Sequence, residues 1–116
     1  MPGRASKSKG AAGELEVAKI FQTSGWPDAR RSGVAGQAEG DLVNCEPYVV
    51  EVKRRESQNI AAALRQVEAV TPDDLYSLVV HRTSRQPWLA TLKLADFFEI
   101  APGEKARSRR PGPLHP

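Results

Sequence analysis

The stretch AEGDLVNCEPYVVEVKRRE, residues 38–56, decides how the rest of the chain reads. Two apolar runs, Leu42-Val43 and Tyr48-Val49-Val50, flank a polar turn that contains Pro47, the pattern of a β-hairpin. Charge is out of place in such an element, yet Asp41, Glu51 and Lys53 sit inside or beside its strands. With the turn centred near Cys45-Glu46, positions 41 and 51 are about equally far from it and face each other across the strands. Glu51 and Lys53 are two residues apart on one strand, so both project to one face. The pattern therefore predicts that Asp41, Glu51 and Lys53 converge, beside a Gly40 that lets another backbone come close. A register slip of one residue would turn Glu51 and Lys53 away from Asp41.

Two carboxylates held this close repel, and a cation between them relieves the repulsion. Oxygen ligands without nearby Cys or His select Mg²⁺, with Mn²⁺ as a substitute, over Zn²⁺. A lysine beside such a site orients the attacking water and offsets phosphate charge, so the chemistry suggested is metal-assisted phosphodiester hydrolysis. Any one of these residues alone is more simply a salt-bridged charge on a solvated strand. The complete set, D-x9-E-x-K following a helix, is what favours catalysis. Glu14 joins the set. Its i+3, i+4 and i+7 neighbours are Val17, Ala18 and Phe21, which places a carboxylate on the apolar stripe of the first helix. There it needs a partner, a metal or its water, unless it only stabilises the helix dipole from the first turn.

Outward from the hairpin, the spacing of Val17, Ile20 and Phe21 predicts a helix over residues 11–24, with Gly25 as its C-cap and Pro27 preventing resumption. A short strand is expected at 29–31, then the glycine-rich loop SGVAGQAEG, then the hairpin strands at 42–44 and 48–53. Ser57 or Asn59 caps a second helix carrying Ile60, Leu64 and Val67, stopped by Thr71-Pro72-Asp73-Asp74. Strands follow at 75–81 and 87–92, and a short helix at 94–100 carries Phe97 and Phe98. The order α-β-β-β-α-β-β-α predicts an α/β fold with a mixed sheet flanked by helices.

At 116 residues and 40% hydrophobic content the chain suits one small domain, expected over residues 11–100. Charge marks the ends. Residues 1–10 and 101–116 each carry +3 of a total of +3, which leaves the middle at −3. Both ends read as flexible basic arms, suited to a phosphate backbone through counterion release or simply to solubility. The C-terminal arm also contains Pro111, Pro113 and Pro116. The basic N-terminus lacks an apolar segment of the signal-peptide kind, and no apolar run is long enough to span a membrane. The single Cys45 forms no internal disulfide and reads as a small turn residue. A cytoplasmic, DNA-associated protein is the expectation.

The pattern KGAAGELEVAKIF…GW…ARRSG…GDLV…VVEVKRR resembles the archaeal-type Holliday junction resolvases, which also occur in phages, within the PD-(D/E)XK nuclease superfamily. The likeness covers residues 9–56 well and the remainder only in element order. It implies a restriction-endonuclease-like fold and a homodimer that makes paired symmetric nicks in four-way DNA junctions. It also implies a Mg²⁺ site formed by Asp41, Glu51 and the main-chain carbonyl of Val52, with Glu14 reaching the metal through water and Lys53 completing the catalytic set. Arg30 matches the family's DNA-holding basic residue best, with Arg31 adjacent, and Ser32 matches a serine near the cut strand. Arg55, returning to the face of Glu51 and Lys53, is the better phosphate ligand, and Arg54 a solvated charge. Gln66, Lys7 and Lys9 are further DNA-contact candidates. Two departures stand out: Leu15 replaces an arginine usual after the helix glutamate, and Gly40-Asp41 replaces proline-aspartate. Phe97, Phe98 and Trp88 supply either a dimer interface or core. Two other readings compete: a same-fold repair or restriction-type nuclease cutting flaps, mismatches or duplex, and a non-catalytic DNA-binding module.

Overall fold

The structure is a computed structural model that describes residues 2–33, 40–56 and 59–103, without the side chains of 2–9. Its elements run α1 (Pro2–Gln22), β1 (Arg30–Arg31), β2 (Leu42–Val43), β3 (Tyr48–Arg54), α2 (Ile60–Glu68), β4 (Tyr76–Arg82), β5 (Leu89–Thr91) and α3 (Leu94–Ile100). This is the expected α/β order. The sheet is divided, however: β1 and β2 pair antiparallel by themselves, and β3-β4-β5 form a mixed sheet, parallel then antiparallel.

Parallel strands need a crossover, and α2 supplies it between β3 and β4. Strands covered on both faces read as continuous apolar runs, which accounts for Tyr48-Val49-Val50 and Leu78-Val79-Val80. Along β3 the side chains alternate between two cores. Val50 and Val52 pack with Val17 and Ala18 of α1, with Leu42, and with Leu78 and Val80. Val49 packs with Val79 and with Ala63 and Val67 of α2. Val50 and Val79 are fully buried, and each such side chain stabilises the fold by about 1.5–3 kcal/mol.

The hairpin is the main correction. β2 and β3 do not form a ladder, because the two residues of β2 give their pairing to β1, as Arg30↔Val43 and Arg31↔Leu42. Asn44, expected in the strand, has φ +64° and sends its side-chain amide to the Asp28 carbonyl at 2.9 Å, which ends β2 at Val43. What lies along β3 is the segment just before β2. Gly40 bridges Val50, and the Asp41 N–H donates to the Val50 carbonyl at 2.8 Å. Only glycine fits there: φ is +82°, and a Cβ would come to 2.8 Å of the Val50 carbonyl oxygen.

Helix α1 starts at Pro2, well before the expected residue 11, with proline in the first-position role for which its missing N–H is suited. The backbone of residues 2–10 thus continues the helix. α1 ends as expected. Gly25 takes φ +116°, the Trp26 N–H bonds the Phe21 carbonyl at 3.0 Å, and the two rings pack at 5.2 Å, a Schellman closure. Asn59 caps α2, its side-chain oxygen accepting from the Ala62 N–H at 3.0 Å; Ser57 lies outside the described residues. Trp88 packs against the α1-side core, under Arg82 at 5.0 Å, whereas α3 buries no side chain and leaves Phe97 and Phe98 exposed. Cys45 is buried, its thiol pushed up to about 11 by that burial, in keeping with a packing role. Among the described residues no helix is long and apolar enough to cross a membrane.

Candidate active site

Strand alternation puts Glu51 and Lys53 on the Val49 face of β3, and they meet there as an ion pair, Lys53 Nζ to Glu51 Oε2 at 3.1 Å. Both side chains are less than one-fifth exposed, so the pair is stronger than one on an open surface. Asp41 sits at the β3 edge away from β4, fixed at three points. Its N–H binds the Val50 carbonyl, its carbonyl accepts from the Ser32 N–H at 3.0 Å, and its Oδ2 accepts from the Val52 N–H at 2.8 Å. A strand residue's N–H and C=O leave on the same side, so the Val52 carbonyl faces this edge too. Positions 41 and 51 are therefore neighbours, as the sequence symmetry predicts, although a bridge and a side-chain bond bring them together and not a hairpin ladder.

These groups line one cavity of about 510 Å³, together with Glu14, Arg54, Arg55 and Glu56. Burial raises the Asp41 carboxyl to about 6; the Val52 N–H and Lys53 work against that shift, and the charges of Glu51 and Glu14 add to it. Asp41 therefore feels all three other members of the expected catalytic set. Glu14 lies on the inner stripe, with Val17 and Ala18 buried beside it. It is far from the first turn of α1, which removes the helix-dipole reading. Its partner in the structure is a guanidinium: Arg31 Nε donates to Glu14 Oε1 at 2.9 Å.

Among the basic candidates, Arg31 and not Arg30 turns inward; Arg30 is exposed on the other side of β1. Arg54, expected to be solvated, is half-buried beneath α1, where a Cβ on Gly13 would touch its Cβ at 3.4 Å, and it lines the cavity. Arg55 is exposed at the end of β3, its N–H bonded to the Arg82 carbonyl at 3.3 Å, and it also lines the cavity. Ser32 reaches the site through its backbone bond to Asp41. Gln66 is exposed on α2 and does not line the cavity. The side chains of Lys7 and Lys9 lie outside the described residues. Glu56 is a lining residue that sequence reasoning missed. It accepts from the Ser84 N–H at 3.2 Å and from the Ser84 hydroxyl, which ties the end of β3 to the turn after β4. No spacing in the sequence signals that contact between residues so far apart.

Among the described residues no three of His, Cys, Asp and Glu close into a ready-made metal cage. The donor chemistry nevertheless fits a hard divalent cation: carboxylate oxygens of Asp41 and Glu51, a carbonyl at the same edge, and a buried Asp41 carboxyl that feels the charges of Glu51 and Glu14. No protein-family model, curated protein or solved structure matches the chain.

Proposed function

We propose that the protein is a divalent-metal-dependent endonuclease with a restriction-endonuclease-like fold, acting on four-way DNA junctions as a homodimer. The observation that carries this reading is the joint lining of one cavity by Glu14, Asp41, Glu51 and Lys53, with Asp41 electrostatically coupled to the other three. Asp41, Glu51 and the Val52 carbonyl would hold Mg²⁺ or Mn²⁺, with Glu14 reaching it through water. Such an ion supplies Lewis acidity toward the phosphate and a bound water of lowered pKa.

The chain's own residues do the remainder. Asp41, immobilised by three backbone hydrogen bonds, offers a fixed oxygen with little reorganisation on loading. Lys53, steered by Glu51, places a compact positive charge where a scissile phosphate would approach. Arg54 and Arg55 provide further positive charge along the strand running out of the site. Residues 2–10, with Arg4, Lys7 and Lys9, extend α1 beyond Gly10, itself a cavity residue, and suit the flanking backbone of the DNA. The exposed aromatic pair on α3 supports a second copy as partner, as paired nicks require.

The test is incubation with Mg²⁺ and labelled four-way junction, duplex, flap and single strand, alongside Asp41→Asn and Glu51→Gln. Paired symmetric nicks confined to the junction, abolished in both variants, are expected. Equal cutting of all substrates would instead leave a repair- or restriction-type nuclease, and binding without metal-dependent cutting would leave a DNA-binding module.

A further inference from the structure

The Arg31–Glu14 ion pair occupies the one carboxylate of the set that belongs to α1. Arg31 is fixed in the main chain: its residue pairs with Leu42, and the next N–H binds the Asp41 carbonyl. Its side chain is freer. It touches Glu14 through Nε at 2.9 Å and is 36% exposed against 20% for Glu14, so its guanidinium reaches solvent while the carboxylate faces the cavity. While Arg31 holds Glu14, the negative charge available to a cation in the cavity is reduced by one group. If a cation draws on Glu14, directly or through water, Arg31 is released beside Asp41 with its charge unspent.

We propose that Arg31 is a placeholder cation: it neutralises Glu14 in the metal-free protein, exchanges with the divalent ion, and then turns its guanidinium to a DNA phosphate. This rests on the nuclease reading of the cavity and adds a coupling to it. A phosphate that draws the Arg31 guanidinium away from Glu14 frees that carboxylate for metal. By linkage, metal tightens DNA to the same degree. Arg31 is thus a positioning residue for Glu14, and the exchange links the arrival of metal to the arrival of substrate.

The test reads metal binding without DNA, by counting free Mn²⁺ through its electron paramagnetic resonance signal. Wild type is compared with Arg31→Gln, Arg31→Lys, Glu14→Gln and the Glu14→Gln/Arg31→Gln pair. Arg31→Gln is expected to bind Mn²⁺ about threefold to fivefold tighter, the scale of a partly exposed ion pair. Arg31→Lys should stay near wild type, and the gain should vanish in the Glu14→Gln background. A gain that persists without Glu14 would overturn the proposal, since Arg31 would then act as a general field on the cavity. So would unchanged or weaker binding in Arg31→Gln. A second readout is junction affinity by fluorescence anisotropy in Ca²⁺ and in EDTA. Metal is expected to tighten junction binding by wild type and to do so less in Arg31→Gln, and a full effect there would also sink the exchange. Junction cutting with no change in Mn²⁺ affinity defeats the placeholder alone. A Glu14-dependent gain without any DNA cutting defeats only the nuclease reading, and no Mn²⁺ binding by any form defeats both.

Discussion

Asp41 combines a carboxyl raised from 3.8 to about 6 with three backbone contacts that prevent it from moving to water. A carboxyl whose folded pKa lies above its unfolded value contributes most stability below the unfolded value and loses it as pH rises through the folded one. The metal-free protein should therefore lose about 1–2 kcal/mol from this group between roughly pH 4 and 6, after allowing for solvent screening. Thermal melts in EDTA across that range should show the slope, and Asp41→Asn should flatten it and raise the melting temperature at pH 7. Parallel curves for the two proteins would show that Asp41 is not the buried acid. His81, whose pKa is lowered by burial, acts in the opposite sense, its contribution lost as pH falls, and cancels in the comparison. Gly40 is the second residue on which the site turns. Gly40→Ala should cost about 2 kcal/mol or more in urea unfolding, from the positive φ and the clash with Val50. At this scale the sequence was legible for the identity of the acidic set and for Gly40. It named Arg31 only as the neighbour of a preferred Arg30, because which of two adjacent arginines turns inward depends on a strand pairing across the glycine-rich loop.

The elements divide by how much of their stability is local. Helix α2 announces itself through its cap and its apolar spacing, and both act as read. Asn59→Ala should cost about 1 kcal/mol by losing the bond to the Ala62 N–H. Val67, 1% exposed between Val49 and Val79, should cost about 2–3 kcal/mol as Val67→Ala. If the two substitutions cost the same in urea melts, α2 would not be held chiefly by its packing. The end of α1, the breaks near Pro27 and Pro72, and the span of α3 follow from local chemistry and were readable in advance. The hairpin was not. Two short apolar runs around a turn satisfy the same pattern whether they pair with each other or with different partners. Here β2 pairs with β1, and β3 with β4, which is distant in sequence.

For the molecule as a whole, the unpartnered face is the one bearing α3. Among the described residues, Ile20 of α1 and Leu94, Phe97 and Phe98 of α3 are exposed, and Ile20 and Phe97 line one apolar surface. Phe98→Glu should shift sedimentation toward a single copy with little loss of melting temperature, because α3 buries no side chain. An unchanged association state would remove α3 from the proposed dimer interface. The sequence by itself carried the α/β order and the candidates Glu14, Asp41, Glu51 and Lys53, which line one cavity, since each was read from spacing within one element or its immediate neighbour. Tertiary structure alone decided that Asp41 reaches β3 through a bridge and a side-chain bond, that Arg31 binds Glu14, and that Glu56 joins the cavity. Those are contacts between segments far apart in the chain, and the free energy that selects among such pairings comes from packing the two cores around β3, which no local pattern encodes.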